Sequence, residues 1–402
     1  MNVSERRAYD FIVVGCGGIG SAATYWLSRV AGHDVLALEQ FQIGHDNGAS
    51  QDYSRIIRLS YHAPEYTALT PHTYTAFAEV EQESGQRLVV KTGGLDIAPA
   101  RSHDVLEGYA GAMRAAGVAY EELSASDAMA RWPQWQLDGN ERVLYQADGG
   151  LVDARRSIAT HVALARYHGA TVLDNTRVLA LTPTSEGVEV ATSAGIFQAR
   201  RVVVAADAWT NQVLAGVGVQ YPLTVTQEQV TYFATPNVRE FAPDRFPIWI
   251  WHGGSDGSGW FYGFPVYGEV ATKAGEDVGG DVVTGDTRTF EPNPRPFERL
   301  TSFLGKHCPG ALGPVMYTKT CLYTMTPDRN FIIEQLPECP QVSVAVGAAH
   351  AFKFSSLIGQ ILTDLAVEGD TRFPIAPFSS QRRALTDPTF PAAFSLSPAA
   401  AD

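Results

Sequence analysis

The chain has 402 residues, with 30 Lys plus Arg against 43 Asp plus Glu and a formal net charge of −13. That length holds more than one structural unit, and 45% hydrophobic residues is the proportion of an ordinary globular enzyme. The acidic balance excludes a nucleic-acid or anionic-membrane partner, both of which need basic patches, and no apolar stretch reaches the length of a transmembrane span.

The opening residues, Met1 to Tyr9, are short and polar, and Pro398–Asp402 carries no targeting signal. The expected location is the cytoplasm. Cys16, Cys308, Cys321 and Cys339 form no C-x-x-C pair, so neither a zinc site nor a dithiol centre is expected. A buried cysteine is ordinarily a small hydrophobe.

The stretch from Asp10 to Glu39 reads as strand, glycine turn, helix and strand. Asp10-Phe11-Ile12-Val13-Val14 is a β-branched apolar run of strand length. It leads into Gly15-Cys16-Gly17-Gly18-Ile19-Gly20, a G-x-G-x-x-G. Gly15 permits the sharp turn, Gly17 lets a pyrophosphate approach the backbone, and Gly20 lets the following helix lie close to the strand. The helix N-terminus offers unpaired N–H groups to phosphate. Asp34–Leu38 is a second buried strand, ending at Glu39, where an acid can take a ribose hydroxyl pair. That acid disfavours a 2′-phosphate and points to FAD or NAD rather than NADP.

A polar loop, Gly44 to Asp52, follows. Arg55 and Arg58, three apart, would share one helical face. They are either two surface arginines or the partners of a flavin or substrate anion. Residues 62–90 read as helical, Thr92–Ile97 as turn and strand, and residues 102–132 as two helices. Gly149–Asp153 reads as a loop entering a helix from Ala154 to His168. Strands are expected at Thr171–Leu173, Arg177–Leu179 and Arg201–Trp209. From Pro222 to about Asp286 the chain looks β-rich and aromatic. Phe246–Trp251 and Gly259–Pro265 flank the turn run Gly253–Ser258, which suggests an antiparallel sheet. Its aromatic face reads first as packing. Val342–Gly347 is one more strand. The small-residue turn and helix after it, through about Leu365, suggest a loop facing the cofactor.

Several stretches together resemble the sarcosine oxidase and N-methyltryptophan oxidase family, within the D-amino-acid-oxidase-like flavoproteins. They are the N-terminal unit, Ser54-Arg55-Ile56-Ile57-Arg58, Tyr262-Gly263-Phe264-Pro265, Lys273, Thr320-Cys321-Leu322-Tyr323-Thr324, Pro327-Asp328 and Phe352-Lys353-Phe354-Ser355-Ser356. They run in order from about residue 9 to about residue 370. The resemblance implies an α/β fold: a Rossmann-like FAD-binding unit (residues 1–90, 150–220 and 315–390) with an inserted antiparallel substrate unit (91–149 and 221–314).

The resemblance further implies FAD held by a thioether from Cys321 to the isoalloxazine 8α-methyl. A thiolate is the nucleophile such a bond needs, and Lys319 would lower the thiol pKa if the two side chains approach. Lys273 resembles the family's oxygen-activating lysine, where a fixed cation stabilises developing negative charge; a solvated hairpin lysine is the plain alternative. Arg58 and Lys353 match the pair that clamps the substrate carboxylate, and Arg55 an arginine beside the flavin ring. Tyr262 and Tyr323 match residues lining the substrate cavity. Gln40, Ser50, Val178, Ala206, Trp209, Gly347, His350 and Phe352 join the cofactor-binding set.

Three positions depart from the family pattern. Gln51 and Asp277 stand where sarcosine oxidases carry histidines, and Gln227-Glu228 where they usually carry Arg-Gln. These changes put sarcosine itself in doubt; Glu228, Glu276 and Asp277 either reach the pocket or lie outside it. The expected activity is oxidation of a C–N bond in a secondary amine or N-methyl amino acid, with O2 reduced to H2O2, by a monomer or small homo-oligomer. A cyclic or larger amino acid, such as pipecolate or N-methyltryptophan, is the alternative substrate, and a dehydrogenase with another electron acceptor the alternative class.

Overall fold

A computed structural model describes residues 6–253 and 259–394. The expected turn at Gly253–Ser258 lies largely outside the described residues, as do Met1–Glu5 and the Pro398–Asp402 tail.

An eight-stranded sheet carries the N-terminal unit. Its parallel core runs Thr171–Leu173, Val35–Leu38, Ala8–Val14, Gly195–Val204 and Cys339–Val346. Val14 lies beside both Leu38 and Val204, and Val204 beside Val344, so these strands end along one edge. Ile12, Val13, Leu36, Val202 and Val203 are fully buried. Removing each such side chain from water contributes about 1.5–3 kcal/mol, which is why the runs read as continuously apolar. The helices Gly18–Ala31, Ala154–Tyr167 and Ser355–Val367 are packed together beside this sheet.

The second sheet has nine strands. Most neighbours are antiparallel, as the aromatic stretch suggested. One pair is parallel: Ile248–Trp251 lies beside Gly94–Ala98. The strand Val315–Met325 pairs with Thr224–Phe233 and belongs to this sheet, so a boundary at residue 315 does not coincide with a change of sheet. A three-stranded sheet, Ser54–Ile57, Gly150–Asp153 and Val89–Lys91, completes the fold.

Three local expectations change. Gly150–Asp153 is a strand, not a loop, because a Cβ on Gly150 would sit 2.2 Å from the Val90 carbonyl oxygen. Only glycine lets the neighbouring strand come that close. Ser54–Ile57 is also a strand, so Arg55 and Arg58 share no helical face; the β-branched Ile56-Ile57 prefers the pleated surface. Residues 62–90 divide into helices Pro64–Thr67 and Thr70–Ser84 and a strand from Val89.

Gly359 lets the last long helix meet the first, since a Cβ there would lie 2.6 Å from Ala22. Gly359→Ala gains about 1 kcal/mol of helix propensity, but overpacking costs about 1–3 kcal/mol. Net destabilisation, read as a lower urea midpoint, is the expected result; a raised midpoint contradicts the close contact.

Candidate active site

The loops that leave the common strand edge converge on one cavity of about 1340 Å³, larger than a single small-molecule site requires. It is lined by Gly15, Gly17, Gly18, Ile19, Glu39, Gln40, Ser50, Arg55, Val178, Ala206 and Trp209, and by Cys321, Gly347, His350, Phe352 and Lys353. Lys273, Tyr262, Tyr323, Arg58 and Gln51 line the same space. Gly20 does not. It stands behind the turn, where a Cβ would lie 1.9 Å from the Gly15 carbonyl oxygen, so its part is helix-to-strand packing.

The dinucleotide end fits FAD. Gly15 has φ +89, and a Cβ there would strike the Ala205 carbonyl oxygen at 2.4 Å. The helix from Gly18 has no side-chain cap at Gly17, which leaves its first N–H groups open to a pyrophosphate. A Cβ on Gly18 would meet the Phe352 ring at 2.7 Å, so the cradle admits backbone only. Glu39 accepts the N–H groups of Cys16 (2.8 Å) and Phe41 (3.0 Å), which fix its carboxylate at the cavity wall. Oε1 also lies 3.3 Å from His45 Nε2, and Oε2 retains a second acceptor position for a ribose hydroxyl.

Strand register explains how residues far apart in sequence meet. Directly opposed residues share a sheet face, and alternate residues of one strand do too. Tyr323 lies opposite Thr226, Cys321 opposite Glu228 and Lys273 opposite Tyr232 on the strand Thr224–Phe233. Tyr262 lies opposite Gly275, which faces Val230 on that same strand. All four side chains therefore leave one face of the second sheet. The hydroxyls of Tyr262 and Tyr323 are 3.5 Å apart.

Lys273 is buried and is not a solvated hairpin lysine. Its Nζ donates to Asp52 Oδ2 (2.9 Å) and to the Ser54 carbonyl (2.7 Å). Burial pulls its pKa down to about 8, although Asp52 opposes the change. Asp52 also accepts the Tyr232 hydroxyl and lies 3.7 Å from Arg55. Burial alone would raise the Asp52 carboxyl; Lys273 and Arg55 together hold it well below the usual carboxylate range. Arg55 is anchored on the carbonyls of Ser54 and Ala49, each at 2.9 Å.

Cys321 is buried, and burial pushes its thiol up to about 11 against the pull of Arg55 and Arg288. Lys319 does not acidify it: its ammonium pairs with Asp46 at 2.9 Å. The Gln51 amide donates to the Thr320 carbonyl, turned toward the cysteine strand. Arg288 donates to the carbonyls of Asp46, Asn47 and Thr320 and to the Thr320 hydroxyl, tying the polar loop to the same strand.

At the other end, Arg58 and Lys353 both lie near the Tyr61 ring, at 5.0 and 5.6 Å from its centroid. Arg58 pairs with Asp96 at 2.6 Å, and Asp96 also accepts Ser60 Oγ (2.7 Å) and lies 2.8 Å from His252 Nε2. Lys353 donates to the His350 carbonyl at 2.8 Å, and burial followed by the nearby Arg58 lowers its pKa far below the ordinary lysine value. Glu276 and Asp277 both reach the cavity, paired with Arg299 (2.8 Å) and Arg329 (2.8 Å). Glu228 does not line it; Thr226 and the Gly279 N–H hold its carboxylate, which burial raises to about 7.

Asp52, Asp96, Arg288 and Arg329 escaped the sequence reading. Asp96 carried a signal, a lone acid inside the apolar strand Gly94–Ala98, every residue of which is buried. The others sit in loops, and their partners are set by tertiary contact alone.

Asp52→Asn leaves Lys273 beside only the Ser54 carbonyl. Removing one partner of a buried ion pair costs about 3–5 kcal/mol. In the variant, the unfolded chain binds the Lys273 proton and the folded chain releases it, so stability rises with pH. The deficit is expected to shrink as pH rises toward about 8 and to level off above it, where the unsubstituted protein also loses that proton. Urea midpoints across that range check this, and a deficit independent of pH contradicts it.

Residues 10–365 match the family described as DAO, FAD dependent oxidoreductase. The monomeric sarcosine oxidase of Streptomyces avermitilis is 34% identical over 387 residues, covering 94% of this chain and 98% of the relative. The N-methyl-L-tryptophan oxidase of Escherichia coli is 30% identical over 385 residues, covering 93% and 99%. The solved structure of NikD, described as an unusual amino acid oxidase essential for nikkomycin biosynthesis, has a TM-score of 0.82 at 29% identity and covers 93% of this chain and 97% of NikD. With the glycine turn, Glu39 and the cavity they open into, these matches show that the chain belongs to the DAO family of FAD-dependent oxidoreductases.

Proposed function

We propose that this flavoprotein oxidises the C–N bond of a secondary amine that carries a carboxylate, an N-methyl or cyclic amino acid, and passes the electrons to O2. The observation that carries this reading is Lys353. Its ammonium is buried in the cavity wall, and among the described residues no carboxylate lies within ion-pair distance of it. An uncompensated buried cation is costly unless a ligand supplies the anion. Arg58 lies near the same tyrosine ring and offers hydrogen-bond donors to that anion. The relatives named for sarcosine and N-methyl-L-tryptophan act on amines that carry one carboxylate.

FAD, when bound, supplies the capacity to take two electrons from the amine and to return them to O2 as H2O2. The chain's own residues do the rest. Arg58 and Lys353 fix the carboxylate, which leaves the amine and its α-carbon toward the sheet face of Cys321, Tyr262, Tyr323 and Lys273. Fixing one end of the substrate turns the encounter into a positioned reaction. The amine reacts in its neutral form. Lys273, steadied by Asp52, holds positive charge at the oxygen-reacting side of the cavity, where negative charge develops. Cys321 is the attachment point for a thioether to the 8α-methyl. Arg55 and Arg288 favour its thiolate against burial.

Protein precipitated in acid is expected to carry its yellow colour in the pellet, and Cys321→Ala to release it to the supernatant. Colour in the supernatant of the unsubstituted protein rules out the thioether. Lys273→Met is expected to slow flavin reoxidation about 10²–10³-fold and flavin reduction far less, the size of effect that loss of one charge-stabilising group produces. In the unsubstituted protein reoxidation should decline as pH rises through about 8, because the ammonium form is lost there. Stopped-flow measurement of the two half-reactions decides; equal slowing of both, or a flat profile across that pH, contradicts the role.

A further inference from the structure

Among the described residues, three arginines at the Arg58 end of the cavity are ion-paired and Lys353 is not. Arg58 is matched by Asp96 at 2.6 Å, Arg329 by Asp277 through contacts of 2.8 and 3.1 Å, and Arg299 by Glu276 at 2.8 Å. Lys353 is left over, its ammonium bonded to a backbone carbonyl. The Arg58 pair differs from the other two. Asp96 is 3% exposed and is locked by Ser60 Oγ at 2.7 Å and His252 Nε2 at 2.8 Å, so it cannot turn away from Arg58 when a ligand enters. Arg58 Nε, meanwhile, is buried without a hydrogen-bond partner. Arg58 thus brings to a ligand a free donor whose charge is already neutralised, and Lys353, near the same Tyr61 ring, brings the charge.

We propose that Asp96 is a specificity-determining residue: by neutralising Arg58 it limits the site to amines bearing one carboxylate and turns away those bearing two. A second carboxylate would enter an end of the cavity where Arg58, Arg329 and Arg299 are already matched. It would lose its hydration without gaining a counter-charge, and would face Asp96 and Asp277 as like charges. Without Asp96, two adjacent cations would await a ligand and the count would rise to two. This rests on the amine-oxidase reading above.

The test compares FAD-loaded protein with its Asp96→Asn variant. Two unreactive anions, propanoate and malonate, are titrated while the flavin absorbance is followed. The unsubstituted protein is expected to bind propanoate at least tenfold more tightly than malonate. Asp96→Asn is expected to shift that ratio at least tenfold toward malonate, and Asp96→Glu to restore the original preference. The same shift is expected in kcat/KM for N-methylglycine against iminodiacetate, carried by KM. Should Asp96→Asn fail to fold, Asp277→Asn frees the charge of Arg329 at the same end and is expected to shift the ratio in the same direction. An unchanged ratio in a folded variant overturns the proposal, as does equal binding of the two anions, or no binding of either, by the unsubstituted protein. Anion binding needs no turnover. Failure of both amines to reduce the flavin, with the anion ratios as expected, would sink the amine-oxidase reading and leave the charge count standing.

Discussion

The buried ion pair between Lys273 and Asp52 is the constraint on which the site depends. Lys273 comes from the second sheet, and Asp52 from the loop that follows the nucleotide-binding unit. The pair therefore joins the two sides of the cavity at its centre. Asp52 holds φ +89, a conformation that a non-glycine residue adopts only when its surroundings insist. Those surroundings are Lys273, Arg55 and the Tyr232 hydroxyl converging on one carboxylate. The pair fixes a buried cation in the cavity wall without leaving it free to move into solvent.

Arrangement around that pair follows one electrostatic pattern. On the cofactor side, Lys273 and Arg55 share the single carboxylate of Asp52, which leaves one cation in excess. Toward Arg58, three arginines are matched by three acids, and among the described residues Lys353 has no ion-pair partner. Under the proposed function each excess positive charge meets a negative one: at one end that of the substrate carboxylate, at the other the charge that develops during reaction with oxygen. Burial makes both cations reluctant to hold their protons, so each is held most firmly when its anion is present.

Legibility in the sequence tracked how local the determining physics is. The turn Gly15–Gly20, its strand and its helix were readable because each glycine answers a steric demand from residues close by in the chain or on the adjoining strand. The parity of strands then brought Cys321, Lys273, Tyr262 and Tyr323 to one face, which no single segment states. Gly150 was misread because a glycine pair looks like a turn, whereas here it admits a neighbouring backbone. Arg55 and Arg58 were misread as helical because spacing was weighed above the β-branched residues between them. Asp277, whose reach was left open, forms a fork with Arg329 at the cavity wall, while Glu228 turns to its own strand and the Gly279 N–H. Neighbours far along the chain decide such outcomes.

The most direct measurement of the central claim is anaerobic mixing of the purified yellow protein with a panel of N-methyl and cyclic amino acids. The account predicts that at least one of them bleaches the flavin absorbance fully, and that admitting O2 restores it with one H2O2 formed per amine oxidised. An absorbance that no carboxylate-bearing secondary amine bleaches would contradict it.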